Sequence, residues 1–184
     1  FRDDTVLPAT TNELPYLIAG LGNPGREYAG NRHNVGFMLV DRLAARLGAN
    51  FSRLESKALV CKTEYQGRRL ILAKPQTFMN LSGQAVAALV HYYKLPLDHL
   101  LVAYDDVDLP LGTLRLRPGG GSAGQKGMKS ILERLGSARP DEPALGAAKG
   151  RADIPRLRIG IDRPPGRMDS AAYVLQDFSR QQAE

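Results

Sequence analysis

Residues 16–36 read YLIAGLGNPGREYAGNRHNVG. The apolar run Tyr16-Leu17-Ile18-Ala19 has the length of a buried strand and is bounded by Gly20. Gly20, Gly22, Asn23, Pro24 and Gly25 then form a turn of residues suited to special backbone angles rather than to packing. A polar loop with Tyr28, Asn31, Arg32, His33 and Asn34 follows before any helical pattern begins. A strand that ends in a glycine turn and a run of hydrogen-bonding side chains is how an α/β protein presents chemistry at its sheet edge.

The same turn spells G-x-G-x-x-G over residues 20–25, the dinucleotide fingerprint. That fingerprint works only where a helix starts at the turn and points its N-terminus at a pyrophosphate. Here Pro24 sits inside the motif, and Gly30 and Asn31 come before any apolar periodicity. The acidic residue expected about 20 positions further on is also missing, because Asp41 lies within a helical run. The loop reads instead as one that aims Asn23 and His33 at a ligand.

Outward from this stretch, strands alternate with helices. Val35, Met38, Leu39, Leu43 and Leu47 fall at helical spacing, and Gly48 supplies a stop. Residues 57–65 and 68–73 are extended runs joined by Gln66-Gly67, the pattern of a hairpin that Pro75 ends. Ser82 is placed as the N-cap of a helix reaching Tyr93. Residues 100–104 form another apolar strand running directly into Asp105, Asp106 and Asp108, and 113–117 a further one. A glycine-rich loop over 118–124 leads to a helix over 125–135, and 156–161 returns to strand character. Residues 169–178 fit helix or strand equally. The expectation is an α/β fold: a single domain over 16–184 with a mixed, twisted β-sheet flanked by helices on both faces. Residues 1–15 read as a flexible N-terminal arm and 137–153 as a surface insertion.

Composition bounds the function. The chain has 184 residues, ordinary globular proportions and one cysteine, Cys61, which excludes an internal disulfide framework and fits a reducing compartment. No apolar run approaches the about 18 residues of a membrane span. The first fifteen residues lack the apolar core of a signal peptide. Net charge is +6, and it is unevenly spread. Between Leu111 and Pro140 lie Arg115, Arg117, Lys126, Lys129, Arg134 and Arg139 against the single acid Glu133. Basic charge clustered beside a glycine loop is the footprint of a phosphate-bearing partner, a nucleic acid above all.

Of three histidines, His33 sits in the polar loop, while His91 and His99 read as surface or boundary residues. No metal-ligand spacing and no G-x-S-x-G elbow is present. Asp105 leaves the end of a central strand at the edge where the first loop emerges, which makes it the natural partner for His33. Asp106 or Asp108 can instead cap the following turn. A carboxylate on one imidazole nitrogen fixes the tautomer, and the other nitrogen can then take a proton from water. Asn23 and Asn80 leave strand ends as neutral donor–acceptors suited either to a developing oxyanion or to turn stabilisation.

These residues resemble the bacterial-type peptidyl-tRNA hydrolase family. The resemblance is carried by residues 20–25 (GLGNPG), Tyr28 with 31–36 (NRHNVG), 74–83 (KPQTFMNLSG), 105–110 (DDVDLP) with Gly112, and the glycine-rich loop leading to Gly127 and Lys129. It runs in order from about residue 16 to 178. It implies hydrolysis of the ester joining a peptide to the 3′ ribose of tRNA, without cofactor or metal, by a cytoplasmic monomer acting in translation and ribosome rescue. In such enzymes the residue matching His33 is the base for water, that matching Asp105 orients it, and those matching Asn23 and Asn80 hold substrate or water. The resemblance further implies that Tyr28 lies by the tRNA 3′ end, that Phe78 and Lys126 meet substrate, and that Arg117 and Arg158 meet tRNA phosphate.

Two departures stand out. The family usually has His-Asn where this chain has Gln125-Lys126, and a lysine donates to a carbonyl or phosphate but cannot accept a hydrogen bond. The sequence also stops short of the C-terminal helix usual in the family, and 137–153 is longer than usual. Two readings of the chain remain, an esterase acting on peptidyl-tRNA and a non-catalytic RNA-binding relative of the same fold.

Overall fold

The computed structural model describes residues 13–136 and 153–184. The expected N-terminal arm up to residue 12, and all of the expected insertion but Asp153, lie outside the described residues. Seven strands form one mixed sheet: β1 (Tyr16–Gly20), β2 (Arg53–Glu55), β3 (Ala58–Tyr65), β4 (Arg68–Pro75), β5 (Leu100–Asp106), β6 (Leu114–Arg117) and β7 (Arg156–Gly160). Their spatial order is β2-β3-β4-β1-β5-β7-β6. The β1–β4, β1–β5 and β5–β7 pairs are parallel, while β2–β3, β3–β4 and β6–β7 are antiparallel.

Side-chain alternation divides the core. Leu17 and Ala19 of β1 join one buried cluster with Val86 and Leu89 of α2 (Ser82–Tyr92) and Met128 and Ile131 of α3 (Lys126–Leu135). Ile18 packs on the opposite face beside Val40 and Ala44 of α1 (Val35–Arg46), Cys61 and Leu72. Burial of each such aliphatic side chain stabilises the fold by about 1.5–3 kcal/mol, so the period-2 pattern fixes which face each helix covers. The expected layers, with helices on both faces of a mixed sheet, are those observed.

Local sequence accounts for the connections. Gln66 and Gly67 have φ of 50° and 75°, the left-handed pair that a tight two-residue hairpin requires between β3 and β4. The short strand β2 and the helix α4 (Ser170–Val174) carry too little periodicity to be read from sequence, whereas the expected strands 68–73 and 100–104 each extend two residues further and 57–65 begins one residue later. Ser82 departs from its expected role. The N-cap of α2 is Leu81, and Ser82 sits inside the helix with its Oγ donating to the Met79 carbonyl at 2.7 Å. The preceding 3₁₀ turn, Met79–Leu81, displaces the helix start by one residue.

The chain leaves β1 for β3 and β4 on one side and returns through α2 to β5 on the other. The C-terminal ends of β1 and β5 therefore form the switch point at which a doubly wound sheet opens a crevice. One close approach holds the first loop there. A Cβ on Gly20 would lie 2.1 Å from the Gly36 carbonyl oxygen, and a Cβ on Gly36 would lie 2.4 Å from Leu21 N and 2.5 Å from the Ala103 oxygen. Only glycine at both positions lets the start of α1 rest on the strand ends, which brings the 3₁₀ turn Arg32–Asn34 over β5.

Candidate active site

A cleft of about 470 Å³ opens at this switch point. Its wall includes Asn23, His33, Phe78, Asn80, Asp105 and Lys126, so six of the nine site residues expected from sequence converge. His33 comes from the 3₁₀ turn before α1, Asp105 from the end of β5, and Asn23 from the loop after β1. Phe78 and Asn80 come from the exit of β4, and Lys126 from the first turn of α3.

His33 Nδ1 lies 2.9 Å from Asp105 Oδ2, with the Asp105 side chain 3% exposed. An ionised carboxylate only accepts, so Nδ1 carries the proton and Nε2 is the ring nitrogen available to a ligand. Asp106, the alternative partner, is engaged elsewhere. Its Oδ1 accepts from Asp108 N at 2.8 Å and its Oδ2 from Arg158 Nε at 2.5 Å. The turn-capping role thus belongs to Asp106, and the face of β5 that meets His33 belongs to Asp105.

Asn23 is buried and fixed from three directions. Its backbone N–H donates to Asn34 Oδ1 and its carbonyl accepts from Asn34 Nδ2, both at 2.9 Å. Its side-chain Oδ1 accepts from Met79 N at 2.7 Å. With the oxygen committed, Nδ2 is the part of the amide free to donate toward the cleft. Phe78 is 59% exposed at the rim, and Asn80 and Lys126 are exposed beside it.

The other three expected residues lie outside the cleft wall. Tyr28 is half-buried in the 3₁₀ turn Arg26–Tyr28. Arg117 is exposed on the edge strand β6. Arg158, on β7, faces Asp106, so any phosphate it meets competes with that carboxylate. His99 is distant, stacked on Tyr16 with ring centroids 4.1 Å apart.

Several wall residues escaped the sequence reading. Ser170, Ala171, Val174 and Leu175, from α4 and just beyond it, form one side of the cleft. They are held by Arg32, the neighbour of His33. Arg32 Nη1 donates to the carbonyls of Gln176 (3.2 Å) and Asp177 (3.1 Å), Nη2 donates to Gln182 Oε1, and the guanidinium lies over the Tyr173 ring. The wall also includes Ser122, Ala123 and Gly124 of the glycine-rich loop, whose Gly121 carbonyl accepts from Arg156 Nη1. Tyr104 floors the cleft, and burial pushes its phenol up against the pull of the Arg156 guanidinium. No short motif announces any of these contacts, because each depends on segments brought together only by folding. Among the described residues, no group of three or more His, Cys, Asp or Glu has metal-binding placement, and no helix is long and apolar enough to cross a membrane.

Known proteins resemble this chain in sequence and in fold. The sequence profile described as "Peptidyl-tRNA hydrolase" matches residues 17–184. The chloroplastic peptidyl-tRNA hydrolase of Arabidopsis thaliana is 52% identical over 172 residues, which cover 94% of this chain and 55% of that protein, so the chain spans little more than half of this relative. A chloroplastic group IIB intron splicing facilitator of the same plant is 46% identical, covering 90% of this chain and 63% of its own. The crystal structure of peptidyl-tRNA hydrolase from Acinetobacter baumannii superposes with a TM-score of 0.78 at 32% identity, over 92% of this chain and 79% of that one. A profile that runs from the second residue of β1 to the last residue, together with these likenesses, places the chain in the peptidyl-tRNA hydrolase family.

Proposed function

We propose that the protein is an esterase that hydrolyses peptidyl-tRNA, releasing tRNA and a free peptide carboxylate. The observation that carries this reading is the His33–Asp105 pair at 2.9 Å in the wall of a cleft that also holds two strand-end asparagines. In the proposed step, a water donates its proton to His33 Nε2 as its oxygen attacks the ester carbonyl carbon. The charge that develops on the carbonyl oxygen is met by Asn23 Nδ2, whose direction is fixed before substrate arrives. Collapse of the tetrahedral intermediate breaks the bond to the 3′ ribose oxygen, which takes the proton back from His33. Asp105 holds the ring and stabilises the imidazolium in between. An ester requires no more than an activated water and oxyanion donors.

On the substrate side we assign Phe78, Asn80 and Lys126 to the peptide and terminal nucleotide, and Tyr28 to the tRNA 3′ end. Arg117 and Arg158 are assigned to tRNA phosphate. The protein acts as a monomer, without cofactor, in a compartment where translation takes place. The cytoplasm is the simplest such place, although the Arabidopsis relative is named as chloroplastic.

The likeness to an intron splicing facilitator favours one second reading, RNA binding without hydrolysis. An RNA-binding surface has no use for a histidine oriented by a buried carboxylate, and this supports the esterase. Incubation with N-acetylated aminoacyl-tRNA separates the two. The esterase reading expects free tRNA in catalytic amounts, and the binding reading expects salt-sensitive retention of tRNA with no release.

A further inference from the structure

Only one oxygen of the Asp105 carboxylate is used by His33. The other, Oδ1, accepts from Gln125 Nε2 at 3.1 Å. Gln125 is 8% exposed and stands at the N-cap of α3, where its Oε1 accepts from Met128 N at 2.7 Å. These two bonds settle which way the amide faces. The oxygen is committed to a backbone N–H, so the amino group must face Asp105, and the reverse orientation would set donor against donor and oxygen against carboxylate. Nε2 also lies 3.2 Å from Met79 Sδ, and Met79 N is the group that fixes Asn23.

A carboxylate with one partner can still rotate about its terminal bond, where the torsional well is broad. Two partners in fixed directions define its plane. Because the imidazole follows Oδ2, fixing that plane also fixes the direction of His33 Nε2. We propose that Gln125 is a positioning residue that acts through Asp105, tying the catalytic carboxylate to the N-terminus of α3. Capping α3 alone would require only an acceptor, which serine, asparagine or aspartate supplies at lower side-chain cost. The donor directed at Asp105 is what those residues would not provide here. The inference rests on the hydrolytic reading above.

Gln125→Glu tests it, because glutamate keeps the size and the acceptor for Met128 N but presents a carboxylate to Asp105 in place of a donor. The other titratable groups lining the cleft are His33, Tyr104, Asp106 and Lys126. At pH 8 kcat is expected to fall by about 30-fold or more, with KM within about threefold of native and a thermal midpoint within a few degrees. The ratio of variant to native kcat should rise as pH is lowered from 8 to 6, since a protonated glutamate again donates to Asp105. Gln125→His, which retains a ring donor, should keep kcat within about fivefold of native. Should Gln125→Glu not fold, Gln125→Met is read in its place, with a loss of about tenfold in kcat at native KM expected. A folded Gln125→Glu or Gln125→Met enzyme with native kcat overturns the proposal while leaving the hydrolytic reading intact. A native protein that releases no tRNA overturns both.

Discussion

At the scale of single residues, the site depends on amides whose two ends do different work. Asn23 spends its oxygen on Met79 N and keeps its amino group for the cleft. Asn23→Asp retains the accepting oxygen and the shape but replaces the donor with a second anion. It is expected to lower kcat by about 10²–10³-fold while the denaturation midpoint stays near native. A kcat within threefold of native would remove Asn23 from the oxyanion role. The pairing of His33 with Asp105 was legible in the sequence because Asp105 lies at the end of a central strand, at the edge where the first loop, which carries His33, emerges. The orientation of Asn23 was not, since it depends on a backbone N–H 56 residues away. Gln125 was visible only as a departure from family usage. Its contact with Asp105 arises from the cap geometry of α3, which no spacing in the sequence reports.

At the scale of elements, the decisive contact is between backbones. Gly20 and Gly36 allow the start of α1 to lie on the ends of β1 and β5, and this sets how far His33 stands from Asp105. In Gly36→Ala the added Cβ meets Leu21 N and the Ala103 oxygen, neither of which is the end of a flexible side chain. The variant should lose about 1–3 kcal/mol of stability in denaturant titration, and its kcat should fall as the His33 turn is pushed outward. Native stability and rate together would show that this contact does not position the site. The glycines could be seen in the sequence, and so could the helix after them. Their facing each other across the strand end could not, because it requires the parallel register of β1 with β5. The α4 wall was hidden for a related reason. Residues 169–178 have no decisive periodicity, and their place is set by Arg32 and by the Tyr173 hydroxyl, which donates to the Ile161 carbonyl at 2.7 Å.

At the scale of the whole molecule, the sheet puts chemistry and charge on neighbouring surfaces. Arg115 and Arg117 alternate with exposed Leu114 and Leu116 on the edge strand β6, next to β7 and one strand further from the cleft than β7. Charge clustering between residues 111 and 140 was readable in the sequence, but not its division between an outer edge strand and a cleft-lining helix start at Lys126. If Arg117 meets tRNA phosphate, Arg117→Ala should weaken tRNA binding at low salt and make the log K against log salt slope shallower by about one. An unchanged slope would assign the contact to another cation. Because Arg115 and Arg117 lie on the edge strand β6 while His33 lies in the cleft wall, tRNA binding through these arginines and chemistry at His33 should be separable by mutation. The most direct test is release of free tRNA from N-acetylated aminoacyl-tRNA by the native protein and by His33→Ala, with tRNA affinity measured on both. A His33-dependent esterase predicts catalytic release by the native protein, a loss of at least about 10²-fold in His33→Ala, and affinities within a few-fold of each other. Release that persists in His33→Ala, or none from either protein, would contradict it.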